Sequence, residues 1–160
     1  MRLQEMARYF GKIPAVALLA ALFAGLFSIT PLPAFQADTS ASLGKMKSIA
    51  EAQHEIVLLL IKKQEYDKAA AEADKIFDLN WPGDQEPLLL KELLNLAEAF
   101  LQQGQAPMGL KLIERNSRHF KMTSSQTAVL KEMGYLCKSL KQDDKAIEYF
   151  KKARDLEGGK

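Results

Sequence analysis

The chain has 160 residues, 48% of them hydrophobic and 26% charged, enough for one folded domain plus a short appendage. The net charge of +2 arises in its first residues, because from Asp38 onward 19 Lys and Arg face 19 Asp and Glu. A neutral body lacks the basic excess that phosphate neutralisation needs, which argues against nucleic acid as a partner. One cysteine, Cys137, excludes an intramolecular disulfide.

Arg2, Arg8 and Lys12 precede an uncharged run from Ile13 to Ile29, and Pro31 and Pro33 follow it. Basic, apolar, then helix-broken is the order of a secretory signal or a signal anchor. The 17 residues of the run lie between the usual signal core and the usual membrane span. Cleavage near Ala37 and an uncleaved anchor over residues 13–29 therefore both fit. In either case the remainder is expected outside the cytoplasm, with the N-terminal segment contacting membrane. The chain has no Asn-X-Ser/Thr sequon, which leans towards a bacterial periplasm over a eukaryotic secretory lumen.

Residues 38–42 read as a short polar linker. From Leu43 apolar residues recur at helical spacing almost to the end, and no β-branched alternating run appears, so residues 43–157 are predicted all-helical. Breaks at Gln64–Glu65, Asn80–Pro87, Gln103–Pro107, Lys121–Ser125 and Lys141–Asp144 cut this body into six helices. Thr123-Ser124-Ser125-Gln126 offers a capping box for the fifth. Residues 158–160, Gly-Gly-Lys, read as a disordered tail.

The six helices pair into three similar hairpins. The last contains Leu130-x-x-Met133-Gly134-x-x-Cys137, then Ala146-x-x-x-Phe150. The middle one has Leu93-x-x-Leu96-Ala97-x-x-Phe100, then Gly109-x-x-x-Ile113; the first has Gln53-x-x-Ile56-Val57-x-x-Leu60, then Ala69-x-x-x-Ala73. In each hairpin twelve positions separate the close-packing residue of the first helix (57, 97, 134) from that of the second (69, 109, 146). Small residues there let the paired helices approach closely, and Gly104 suits the tight turn between two of them.

This pattern resembles the tetratricopeptide repeat over about residues 43–157, although its spacing of 40 and then 37 residues exceeds the family's 34. The resemblance implies three antiparallel helical hairpins stacked as a short right-handed α-solenoid. It also implies an interaction role, holding a peptide or helical segment of another protein in the concave wall of successive first helices; with no CxxCH, CxxC or HExxH motif and no catalytic constellation, the chain is expected to be non-enzymatic, without cofactor or metal. The family's concave positions fall on Glu51, His54, Leu58, Ile61 and Lys62, then Lys91, Leu94, Glu98, Leu101 and Gln102, then Lys131, Tyr135 and Lys138. A ligand with apolar anchors at i and i+3 or i+4, and an acidic residue towards the third hairpin, would fit them. The family's carboxylate clamp is absent: Asn95 matches, but His54, Leu58, Ala128 and Glu132 do not. A structural or oligomerising subunit of an envelope complex is the alternative role, and Ile147 and Leu156 on the sixth helix are expected half exposed, mediating self-association or partner docking.

Other residues invite a chemical reading less than a structural one. His54 and His119 lie on different hairpins without a nucleophile arranged around them. Cys137 occupies a helix-packing position and is expected as a buried small hydrophobe. Lys111, Arg115, Arg118 and Lys121 share one side of the fourth helix and read as a solvated face. Trp81, in a Pro-Gly loop, is expected to pack over the junction of the first two hairpins. Residues 38–100 carry a net charge of −5 and residues 101–160 a net +5, a polarity able to orient a partner or stack copies head to tail.

Overall fold

A computed structural model describes residues 34–159. The apolar segment Ile13–Ile29 lies outside the described residues, and among those described no helix is long and apolar enough to cross a membrane. The described chain is all-α, with no strand. Its helices are α1 (Ala34–Lys62), α2 (Tyr66–Phe77), α3 (Glu86–Gln102), α4 (Ala106–Asn116), α5 (Thr123–Ser139) and α6 (Asp143–Glu157). Single 3₁₀ turns at Gly83–Gln85 and Ser117–His119 lead into α3 and towards α5.

Two boundaries differ from the sequence expectation. Residues 38–42, read as a linker, belong to α1, because nothing between Pro33 and Gly44 breaks a helix. Gly158 and Gly159, read as tail, form a turn that caps α6. The Gly158 N–H donates to Arg154 O at 2.9 Å, and Gly159 takes a left-handed φ of 68°.

The three helix pairs close by one repeated device. Gln64 (φ 62°), Gly104 (φ 71°) and Lys141 (φ 58°) occupy the left-handed region at equivalent points of the three turns. The next residue donates its N–H back to the end of the preceding helix each time: Glu65 to Leu60 O, Gln105 to Phe100 O and Gln142 to Cys137 O, all at 2.9 Å. This is the Schellman closure, repeated at the same 40- and 37-residue offsets as the small residues. The second helix then begins identically, with Ala69, Gly109 and Ala146 donating to Glu65, Gln105 and Gln142.

Contact distance explains the small residues. A Cβ on Gly109 would lie 3.0 Å from Ala97 O, and one on Gly134 would lie 2.7 Å from the Phe150 ring. Val57 and Ala69 are both fully buried in the first pair. Helix pairs α1–α2, α3–α4 and α5–α6 carry the closest packing; α3 also packs on α1 and α2, α4 on α2, and α5 on α3 and α4. One core runs through them, with Ile76, Phe77, Leu93, Phe100, Leu112, Phe120 and Leu136 fully enclosed.

Polar ties fix how consecutive pairs meet. Asp74 on α2 accepts from Asn116 Nδ2 at 2.9 Å and from Arg115 at 3.0 Å, and Arg115 also reaches Ala70 O. Arg118 pairs with Asp78 at 3.3 Å. Lys111, Arg115, Arg118 and Lys121 are all exposed, as the solvated-face reading expects, and two of them, Arg115 and Arg118, also pair with Asp74 on α2 and Asp78 just after it. The capping box expected at Thr123 is replaced as well. Thr123 is already the first residue of α5, Met122 precedes it without a side-chain cap, and the buried carboxylate of Glu86 accepts the Lys121 and Met122 N–H groups at 3.0 and 2.8 Å. Burial by itself would raise the Glu86 pKa; the two N–H donors, the Ser125 hydroxyl and the Lys121 charge outweigh it and hold the carboxyl below its ordinary value.

Candidate functional site

The described surface is indented where α1 meets α3. Ala50 and His54 on α1 face Leu88, Leu89 and Glu92 on α3, with Ile76 and Trp81 at the base, around a cavity of about 410 Å³. The indole N–H of Trp81 donates to Ile76 O at 2.7 Å, so the ring is fixed over the junction of the first two pairs, as expected from sequence. His54 Nδ1 lies 2.5 Å from Glu92 Oε1 and ties α1 to α3 across the cavity. Apolar side chains supply most of the lining area, and Lys47, Glu51, Glu55 and Lys91 stand around it.

Of the thirteen residues assigned to a groove, the structure brings Glu51, His54 and Lys91 together around this cavity. Leu58, Leu94 and Leu101 are half-buried, Tyr135 is 57% exposed, and Lys62, Gln102 and Lys138 are exposed. Gln102 donates to Glu98 at 3.1 Å, and Lys131 pairs with Glu157 at 2.9 Å. Tyr135 stands edge-on to Phe150, with ring centroids 5.1 Å apart. Ile61 departs from the expectation: it is 4% exposed and packs in the core, because it shares with Val57 the i, i+4 stripe that faces inward.

Two glutamates near the third pair bear on charge preference. Burial raises the pKa of Glu132, and the nearby Glu98 carboxylate raises it further. Two carboxyls stand close together there, and the cost of bringing a third negative group beside them weighs against an acidic ligand group at this end. Sequence reasoning missed Leu88, Leu89, Glu92 and Trp81 as part of one cavity with His54. Their only sequence signal was the Trp-Pro-Gly loop, which sets the start of α3 beside α1.

The remaining candidates fall into packing roles. Cys137 is fully buried, and burial pushes its thiol up against the opposing pull of Lys145. His119 lies beside Asp78 and Arg118, and burial and the Arg118 charge lower its pKa. Among the described residues no three His, Cys, Asp or Glu side chains converge as metal ligands. No protein-family model and no curated protein matches the chain.

Proposed function

We propose that this chain is a tetratricopeptide-like α-solenoid that binds a peptide or helical segment of another protein and catalyses nothing. The observation that carries this reading is the triple recurrence of one hairpin closure, in left-handed turn and backbone bonds alike, at offsets of 40 and 37 residues. The successive first helices α1, α3 and α5 carry a discontinuous apolar floor of Leu58, Leu94, Leu101 and Tyr135, all with accessible surface. The cavity between α1 and α3 supplies a socket for one large apolar anchor. The charged, then apolar N-terminal segment supports export to an envelope compartment such as the periplasm, with residues 13–29 as signal or anchor.

Affinity capture with the tagged full chain, followed by titration of the captured segment, tests the reading. Leu101→Ala and Tyr135→Ala should each weaken binding by more than about 1 kcal/mol. Lys138→Ala should chiefly slow association and reduce its salt dependence. Unchanged affinity in Leu58→Ala, Leu101→Ala and Tyr135→Ala variants would remove the groove as the site.

A further inference from the structure

A second, shallower cavity of about 360 Å³ lies on α5, where Thr123 stands at its edge, Ser124, Thr127, Ala128 and Lys131 wall it, and Glu157 of α6 closes one side. Those four α5 positions are the repeat equivalents of Lys47, Ala50, Glu51 and His54, the α1 wall of the larger cavity, by the same 40- and 37-residue offsets. The two cavities are thus one position of the repeat, seen twice. The first is completed by Leu88, Leu89 and Glu92 of the following pair. Among the described residues no further pair completes the second. Thr127, 5% exposed, leaves its hydroxyl oxygen there without a partner.

The missing wall has a counterpart in the same chain. Counting back 40 residues from Leu89, Glu92, Leu96 and Ala99 gives Ile49, Ala52, Ile56 and Leu59 on α1. The α3 set is buried or half-buried, with Glu92 bonded to α1, and its α5 equivalents Val129, Met133 and Leu136 are buried too. On α1 all four positions are exposed: Ile49 by 46%, Ile56 by 43% and Leu59 by 56%. Among the described residues this apolar helix face is covered in two pairs and bare in the first, as a stacking surface is before its neighbour joins.

We infer that the α1 face of one chain seats on the α5–α6 end of a second copy, continuing the stack head to tail. Glu51 and Glu55 of the incoming α1 stand at the repeat positions of Lys91 and Asn95, which rim the first cavity, and so approach Lys131. The net −5 of residues 38–100 and net +5 of residues 101–160 favour this polarity over like ends meeting. Because the two surfaces differ, the contact is heterologous and extends beyond a dimer unless it closes into a ring.

Sedimentation of the full chain in detergent tests this, with helical circular dichroism as a folding control. The parent should associate in a concentration-dependent, salt-sensitive way. Ile56→Glu and Lys131→Glu should each be monomeric alone, and an equimolar mixture should form 1:1 dimers and nothing larger, since each variant keeps one intact end. Glu55→Lys placed in the Lys131→Glu chain should restore association. A parent that stays monomeric overturns the inference, as does association by a folded Ile56→Glu/Lys131→Glu double variant. Dimers of Lys131→Glu alone would show α1 pairing with itself, which also overturns it.

Discussion

The Glu86 carboxylate, at the first residue of α3, accepts the backbone N–H of Met122 at 2.8 Å and so caps a helix that begins well over thirty residues later. Its depressed pKa makes the contact pH-dependent, with a definite sign. A carboxyl whose folded pKa lies below its unfolded one contributes stability that is complete above the unfolded value and is lost as pH falls through the folded value. The loss therefore falls in the acid range beneath the ordinary glutamate pKa of 4.5. Glu86→Gln should cost about 1–2 kcal/mol at neutral pH and flatten the acid limb of stability against pH relative to the parent. Parallel acid limbs in denaturant titrations would assign that limb to other carboxyls.

Contact distance at Gly109 predicts the opposite of what helix propensity alone would give. With Ala97 O only 3.0 Å from a new Cβ, Gly109→Ala should destabilise, and Gly109→Leu should cost about 1–3 kcal/mol. Gly44, in the open part of α1 with nothing within 4 Å, should respond to the same Ala substitution with a gain of roughly 0.5–1 kcal/mol. Thermal melts of the two variants, side by side, check the contrast.

The left-handed turns give a second opposed pair. Gln64 and Lys141 hold a conformation that disfavours L side chains, so Gln64→Gly and Lys141→Gly should each stabilise by about 0.5–1 kcal/mol. Gly104→Ala should destabilise by a similar amount or more, although its surroundings are empty. Chemical denaturation midpoints at constant slope read this directly.

Asp74 joins two donors from α4, Asn116 and Arg115, and Asn116 is 2% exposed. Asp74→Ala should cost about 1–2 kcal/mol, mostly through the Asn116 amide losing a partner. A double-mutant cycle with Arg115→Ala should return only about 0.5–1 kcal/mol for the more exposed ion pair, and less in high salt.

Export makes a separate prediction. A reporter active only outside the cytosol should be active when fused after Lys160, and inactive once residues 1–33 are deleted. Equal activity with and without those residues would refute the signal reading.

The breaks between helices were legible because Gln-Gly-Gln, Trp-Pro-Gly-Asp and Lys-Gln-Asp-Asp punctuate strongly periodic segments, and the small residues were legible because they recur at one spacing. What escaped was everything set by a distant partner. Thr123 followed by Gln126 has the form of a local cap, yet the acceptor comes from Glu86, which no short window contains. The run Ile56 to Ile61 is apolar throughout, so periodicity could not divide it. Packing against α2 turns Val57 and Ile61 inward and leaves Ile56 and Leu59 outside. The ion partners escaped in a similar way: Arg115 and Arg118 are exposed as read, yet Asp74 on α2 and Asp78 just after it stand opposite them only once the chain folds.

The identical closure of each turn has a kinetic consequence. Each pair forms through contacts between neighbours in sequence, so the chain has a low contact order and should fold quickly, pair by pair. Opening should be graded in the same way. The amides of α3 and α4, flanked on both sides, should exchange with solvent deuterium only on global unfolding, while those of α6 and the first turns of α1 exchange through cheaper local openings. A partner seated along all three pairs would then be felt first at the ends, as slowed exchange where the free chain is loosest.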